Sequence, residues 1–345
     1  MTATVARAAR PMPQRASWIV RYSIGMRTAI DCFAVALVLA AATSAWPQGG
    51  YPEKPIKIVV GFPPGTTGDV IARVLAPKLA EGLGQQVIVE NRPGAGSSIG
   101  AEAVAKSPAD GYTLLLSTIA NAINPSLFRV PFDFANDLAP IAFIAEAPGL
   151  LVAHPSAPAT IRELIAVAKA RPGEIAYGSS GNGTVTHLYG ELFSLNAGVR
   201  LVHVPYKGSS QALTDLLSGR IALLFTPAST VVPHVKAGKL RALGTIGRKR
   251  LGVLPEVPTL GEAGVAGFEA ALWFGFNAPA GTPQGVIARL NQETVRVLGL
   301  ADIKAQLAAQ SIDPSPSSSE SFGAFIQQET DKWARVVKAA GVKEE

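Results

Sequence analysis

The sequence predicts an α/β fold in two lobes with a cleft between them, and three observations carry that prediction. From about residue 56 onward, apolar strand-like runs alternate with helical patterns, a rhythm that calls for mostly parallel sheets flanked by helices. Beyond the first 45 residues about 300 remain, more than a single hydrophobic core usually supports. The helical stretches after residue 283 find no partner in the second run of strands, so they return to the first. Chain crossings are therefore expected near 148 and 272. The predicted organisation is a leader, 1–45, a first lobe from 46–148 plus 272–345, and a second lobe, 149–271.

The leader is set apart by composition. Arg7, Arg10, Arg15, Arg21 and Arg27 precede the apolar run Cys32–Ala42 and the small residues Thr43-Ser44-Ala45, the layout of a secretory signal peptide cleaved after Ala45. Met26 is a second candidate start. The apolar run falls short of the roughly 20 residues that a membrane span needs. Cys32 is the only cysteine and would leave with the leader, so the secreted chain must draw its stability from a large core rather than a disulfide. The full chain carries a formal charge of +6; without the leader's five Arg and one Asp, 26 basic and 24 acidic residues remain, a balance of +2. The one dense basic run, Arg248-Lys249-Arg250, reads as a solvated turn, and no nucleic-acid partner is expected. The four histidines are scattered and no Asp/Glu cluster has ligand spacing, so neither a metal nor another cofactor is expected.

In chain order, the first lobe offers strands at Ile56–Val60, Gln86–Glu90 and Thr113–Ser117, with helices at Asp69–Gly82 and Ser97–Lys106. Pro77 removes one backbone donor from the first helix and is expected to kink it near Arg73. The second lobe offers strands at Leu150–Ala153, Glu174–Tyr177, Leu201–Val204, Ile221–Phe225 and Leu240–Thr245. Helices at Thr160–Ala170, Thr184–Ala197, Ser209–Ser218 and Thr230–Ala237 lie between them. A strand at Ala271–Ala278 follows, then helices at Pro283–Leu298 and Ala301–Gln310, a Ser/Pro loop and a last helix ending near Ala340.

Three strand-to-helix loops are placed to converge on a cleft, where open α/β sheets bind ligands. Gly61–Asp69 joins a buried strand to a helix start through Pro63, Pro64, Gly65 and Gly68. It presents backbone N–H groups and a positive dipole end suited to an anion, with hydroxyls at Thr66 and Thr67 and an N-cap candidate at Asp69. A tight capped turn is the plain alternative. Gly178–His187, GSSGNGTVTH, sets Ser179, Ser180, Asn182 and Thr184 among three glycines; small donors on permissive backbone wrap closely around an oxygen-rich ligand. His187 and Glu191, four apart on the helix that follows, are spaced to pair with each other. In Val204–Ser210, Tyr206 is a candidate wall and Lys207 a candidate charge. A fourth segment, Ser117–Pro125, brings Asn121 and Asn124 to a helix start, where asparagines more often cap than bind ligand.

Enzyme motifs find little support. The Gly61 loop lacks the lysine of a P-loop. Gly96-Ser97-Ser98-Ile99-Gly100 matches G-x-S-x-G between a strand and a helix, which makes a secreted serine hydrolase using Ser98 the alternative function; no HGGG-like oxyanion segment precedes it.

The blocks GFPPGTTGDVIAR, VIVENRPGAGSSIGAEAVAKSPADGYTLL, NAINPSLF, YGSSGNGTVTHLYGELF, VPYKGSSQALTDLLSGRI, PHVKAGKLRAL, LPEVPTLGEAG and WFGFNAPAGTP occur in this order. From about Tyr51 to the C-terminus the chain resembles the substrate-binding proteins of tripartite tricarboxylate transporters, known as Bug receptors. The resemblance implies a non-enzymatic, periplasmic, two-lobe receptor of the type II-like periplasmic-binding-protein class, closing on a small carboxylate: a di- or tricarboxylate, an acidic amino acid or an aromatic acid. Possible membrane subunits of a transporter are implied as partners, and a monomer is expected. Carried over by motif, first-lobe contacts would be Phe62, Gly65, Thr66, Thr67 and Asp69, with Ser117 and Asn121 as further candidates. Second-lobe contacts would be Ser179, Ser180, Asn182, Thr184 and Tyr206, with His187 nearby. Thr66 stands where the family often has Gly, and Ser97-Ser98 where Gly-Gly is common.

Overall fold

Two sheets flanked by helices make up the chain in a computed structural model that describes residues 50–268 and 270–342. The leader with its cleavage point, Met26 and Cys32 lie outside these residues. In the first sheet the spatial order is β11-β4-β10-β3-β1-β2. It contains β1 (Ile56–Val60), β2 (Val87–Asn91), β3 (Thr113–Thr118), β4 (Leu138–Ala147), β10 (Leu272–Pro279) and the two-residue β11 (Asp313–Pro314). The second, ordered β7-β6-β8-β5-β9, contains β5 (Gly149–Ala153), β6 (Ala176–Ser179), β7 (Val202–Pro205), β8 (Leu223–Pro227) and β9 (Arg241–Ile246).

The expectation of mostly parallel sheets needs correction, because each is mixed. β1 pairs in parallel with β2 and β3, while β10 is antiparallel to β3 and β4. β6 pairs in parallel with β7 and β8, while β5 is antiparallel to β8 and β9. The cause is the double crossing. β4 runs toward the second sheet and passes into β5 across Pro148 alone; β10 brings the chain back. A strand that enters a sheet from the cleft must oppose neighbours that run toward the cleft. β4 was also missing from the predicted strands.

Helices cover both sheets. They are α1 (Thr67–Leu83), α2 (Ser98–Ala105), α3 (Ile119–Leu127), α4 (Ile161–Ala170), α5 (Val185–Ala197), α6 (Ser209–Leu217), α7 (Ala228–Lys236), α8 (Gln284–Gly299), α9 (Ala301–Ala309) and α10 (Ser319–Ala340). α1 buries Ile71, Ala72, Leu75, Ala76 and Leu79 at helical spacing and ends on Gly84 at φ 69°, a left-handed cap that glycine adopts without strain. It runs through Pro77 without a break. Among the described residues no helix is long and apolar enough to cross a membrane.

Side-chain alternation along β5 divides the core. Leu151 and Ala153 join a large cluster that also contains Val59, Leu115, Tyr177 and Trp333, whereas Leu150 and Val152 face a second cluster with Leu216 and Leu224. The large cluster draws on both lobes, and from Pro52 onward the chain is one unit. The lobes are thus distinguished by their sheets rather than by a gap in packing. α10 packs on β4 and α3 and also reaches α5.

Glu329 of α10 is the polar tie in this region. It is buried, and its Oε2 accepts from the indole nitrogens of Trp273 in β10 and Trp333, each at 3.0 Å, while Lys332 pairs with its other oxygen. Glu329→Leu leaves two buried N–H donors unpaired and is expected to cost about 2–4 kcal/mol. Urea denaturation of Glu329→Leu and Glu329→Gln checks this, and the glutamine, which keeps an acceptor, should lose less.

Candidate functional site

A cavity of about 460 Å³ opens where the cleft-side ends of the two sheets meet. The loop after β1 contributes Phe62, Thr66, Thr67 and Gly68, and the α3 segment contributes Thr118, Ile119, Ala120, Ile123, Asn124 and Phe128. Gly96 adds backbone. The crossing strands supply Ala147, Gly149, Leu272 and Phe274; the second lobe supplies Ser180, the residues Asn182 through Thr186, Tyr189 and Pro227.

The starts of α1 and α5 are built alike on opposite sides of this cavity. Their N-cap residues, Thr66 and Thr184, share an extended backbone with φ near −73° and −72°, and neither side chain caps its helix. Each hydroxyl turns back instead: Thr66 Oγ1 donates to the Pro63 carbonyl at 2.9 Å, and Thr184 Oγ1 to the Gly181 carbonyl at 2.7 Å. At the third helical position a side-chain acceptor holds the loop that precedes the cap. Asp69 Oδ2 accepts from Gly65 N at 2.9 Å, and His187 Nδ1 accepts from Gly183 N at 3.1 Å. The first-turn N–H groups at Thr67–Gly68 and Val185–Thr186 have no acceptor within their own helices, and all four residues line the cavity. Two positive dipole ends therefore face it without a cationic side chain.

Asp69 is buried behind the first loop. Burial pushes its carboxyl up, but the Arg73 guanidinium at 3.0 Å, the Gly65 N–H and Asn91 together hold it below the usual value. It therefore stays ionised and clamps the turn.

Behind the second loop lies a polar cluster. The His187 ring stacks on His203 with centroids 3.7 Å apart and planes 6° from parallel. Because His187 Nδ1 accepts from Gly183, its proton sits on Nε2, 3.6 Å from Glu191 Oε1. His203 Nε2 lies 2.6 Å from Ser179 Oγ, and the Tyr177 hydroxyl donates to Glu191 at 2.5 Å. Gly190 makes room for the Tyr177 ring, where an added Cβ would come within 2.2 Å. Burial pushes the Glu191 carboxyl up, yet His187 and Tyr177 bring it below its ordinary value. His203 is pushed down to about 4, first by burial and then by its electrostatic interaction with the neighbouring His187 ring.

The G-x-S-x-G segment forms the floor near Gly96. Ala95, Gly96 and Ser97 take left-handed φ angles of 44°, 58° and 82°, a conformation that costs about 1–3 kcal/mol at each non-glycine position. α3 holds it in place. Asn124 Nδ2 donates to the carbonyls of Ala95 and Gly96 and to Ser98 Oγ, and Asn121 Nδ2 donates to Ser97 Oγ at 3.2 Å. Asn121 also closes the capping box of α3 with Thr118. Among the described residues no histidine is hydrogen-bonded to Ser98.

Of the predicted site residues, Phe62, Thr66, Thr67, Ser180, Asn182 and Thr184 come together on the cavity wall. The others stand behind it. Gly65, Asp69 and His187 brace the loops, and Ser179 supports His203. Ser117 bonds the Gly275 carbonyl and Asn277 between β3 and β10. Tyr206 donates to Asp215 at 2.9 Å. Sequence reasoning missed the apolar wall of Ile119, Ile123, Phe128, Leu272 and Phe274, and Tyr189, whose buried hydroxyl has no partner among the described residues. NAINPSLF and WFGFNAP were the available signals, but their apolar residues read as core. Among the described residues no group of three or more His, Cys, Asp or Glu side chains is placed to hold a metal ion.

His203 supplies a pH test. Its folded value of about 4 lies below the ordinary 6.5, so the unfolded chain binds more protons between these values. The neutral ring's contribution to stability is present above about pH 6.5 and is lost as pH falls through about 4. Thermal unfolding should weaken over that window, less so in His203→Asn, and the His203 ring resonance should titrate near 4.

Residues 71–342 match the sequence profile of the family described as tripartite tricarboxylate transporter family receptor. The chain is 40% identical over 315 residues to Protein BugT of Bordetella pertussis, an alignment covering 90% of this chain and 97% of that one. Among solved structures, the Rhodopseudomonas palustris protein Rpa4515 with adipate is 36% identical with a TM-score of 0.70, covering 85% of this chain and 99% of the other. MatC from Rhodopseudomonas palustris with bound malate is 28% identical with a TM-score of 0.67, covering 83% and 100%. A profile match across most of the chain, together with such a relative over nine-tenths of it, places this protein in the receptor family of the tripartite tricarboxylate transporters.

Proposed function

We propose that this receptor works in the periplasm, capturing a small organic carboxylate between its lobes and closing over it, for transport or sensing. The observation that carries this reading is the pair of helix starts, α1 and α5, whose N-cap hydroxyls are turned away from the helix while their first-turn N–H groups line one cavity. Hydrogen bonds from N–H donors to an ionised carboxylate are about twice as strong as neutral ones. An anion bridging both lobes favours the closed population through contacts that the open form lacks. The solved relatives that hold adipate and malate support a carboxylate over a phosphate.

The hinge would lie at the crossings near 148 and 272, between a first lobe of 46–148 plus 272–345 and a second of 149–271. The basic, apolar-cored leader supports export, and family membership supports membrane subunits of a tripartite tricarboxylate transporter as partners of a monomeric receptor. A binding role rather than catalysis fits the Ser98 hydroxyl, which accepts from Asn124 Nδ2 at 2.9 Å.

Thr67→Glu tests the anion site. An acidic side chain in the first turn of a helix favours that helix by about 0.3–1 kcal/mol, so the variant should fold as well as the parent. Its charge beside the α1 amides should weaken carboxylate binding by about a hundred-fold or more. In a thermal-shift screen of organic acids, a ligand at about a hundred times its Kd should stabilise the parent by about 2.7 kcal/mol and leave Thr67→Glu unmoved. Equal stabilisation of both proteins would remove the helix starts from the site.

A further inference from the structure

We infer that the acid taken by this receptor carries one carboxylate on a bulky apolar body, an aromatic ring or a medium-length alkyl chain, rather than a second charge or a set of hydroxyls. The inference rests on the carboxylate reading above and narrows it. A ligand's charged end and its body make different demands on a cavity, and the two kinds of lining here are unequal.

The polar side chains at the cavity are largely committed to the protein itself. The hydroxyls of Thr66 and Thr184 serve the carbonyls of Pro63 and Gly181. Thr186 Oγ1 accepts from Ser180 N at 2.9 Å and bonds the Ser180 hydroxyl at 2.9 Å. Asn124 Nδ2 is held by the Gly96 loop. The donors that remain in number are the backbone amides at the two helix starts, and these suit one end of a ligand. Elsewhere the surface is mostly hydrocarbon: Ile119, Ile123 and Phe128 on the α3 side, Leu272 and Phe274 at the crossing strand, and the ring of Tyr189, whose hydroxyl is the single buried side-chain oxygen of the lining without a partner among the described residues. Among the described residues no Lys, Arg or His lines the cavity.

Against that wall a second carboxylate would lose its hydration with no cation and only the lone Tyr189 hydroxyl to replace it, too little for an ionised group, and a set of hydroxyls would likewise lose more bonds than one phenol restores. A phenyl ring or alkyl chain gains from the same surface by about 25 cal/mol for each Å² removed from water. At about 460 Å³, the cavity lies within the usual range for ligands of ring size and above.

The test is isothermal titration of the dialysed protein with phenylacetate, octanoate, phenylacetamide, adipate, malate and citrate. Phenylacetate or octanoate should bind at least about ten-fold more tightly than adipate, malate or citrate, a difference of about 1.4 kcal/mol. Phenylacetamide, which keeps the body and lacks the charge, should bind at least about ten-fold more weakly than phenylacetate. If adipate, malate or citrate matches or exceeds the apolar acids, or if neither apolar acid binds, the narrowing to an apolar body is overturned while the carboxylate reading stands. If phenylacetamide binds as well as phenylacetate, it is the carboxylate reading that fails. Phe128→Ala, at a half-buried wall position, should weaken phenylacetate several-fold more than acetate; an equal effect on both acids would also count against the apolar wall.

Discussion

The first turn of an α-helix has backbone N–H groups that its own carbonyls cannot reach, and the cavity of this protein is organised by leaving two such turns open. In most helices a Ser, Thr, Asp or Asn side chain folds over the start and accepts from it; α3 does so through Thr118 and Asn121. Thr66 and Thr184 occupy the same position at α1 and α5 but donate to the carbonyl three residues back. Each loop is then locked by an acceptor at the third helical position. One is a carboxylate and the other an imidazole. Chemically different side chains thus perform the same geometric task, and the open amides follow from it in both lobes.

Keeping those amides in place requires a stiff support, which the buried polar groups provide. On the first side, Asp69 is fixed by Arg73 and Asn91, and Asn91 also donates to the Phe62 carbonyl. On the second, Tyr177, Glu191 and the stacked histidines tie β6, β7 and α5 together. None of these groups needs to touch a ligand to determine where the loop amides point. The left-handed run at Ala95–Ser97 is another instance: its strain persists because α3 bonds to it at several points, and the result is bare backbone at the cavity floor.

The lobes are joined where both functions of the cleft coincide. Crossing strands β5 and β10 run opposite to their neighbours because they enter from the cleft, so Gly149, Leu272 and Phe274 belong at once to the crossings and to the cavity wall. Glu329 binds the indoles of Trp273 and Trp333 just behind this region, and Tyr189 of α5 lies 6.1 Å from Trp333 between ring centroids. The shared core through both lobes makes any relative motion a sliding of packed surfaces and a bending of two short crossings.

Much of the architecture was legible in the chain itself. Runs such as Ile56–Val60, buried on both faces, and helices marked by Gly84 and Gly198 at their ends follow from local periodicity and backbone preference, which act within a few residues. The donor-rich loops were legible for the same reason, since glycine, proline and small hydroxyl residues signal their conformations locally. The sequence by itself therefore determined the alternation of elements, the donor-rich loops that open the two helices and the family; that the helix starts stay uncapped was seen only in the structure. Which residues line the cavity was decided only by tertiary structure. Asp69, Ser117, Asn121, Ser179, His187 and Tyr206 have the chemistry of ligand contacts, but their hydrogen bonds turn them into braces behind the wall. Ile119, Ile123, Leu272 and Phe274 have the chemistry of core, but the two crossings leave their side of the cleft facing the cavity. A side chain's type limits what it can do; its neighbours, some of them brought in from 24 to 160 residues away, decide what remains for it to do.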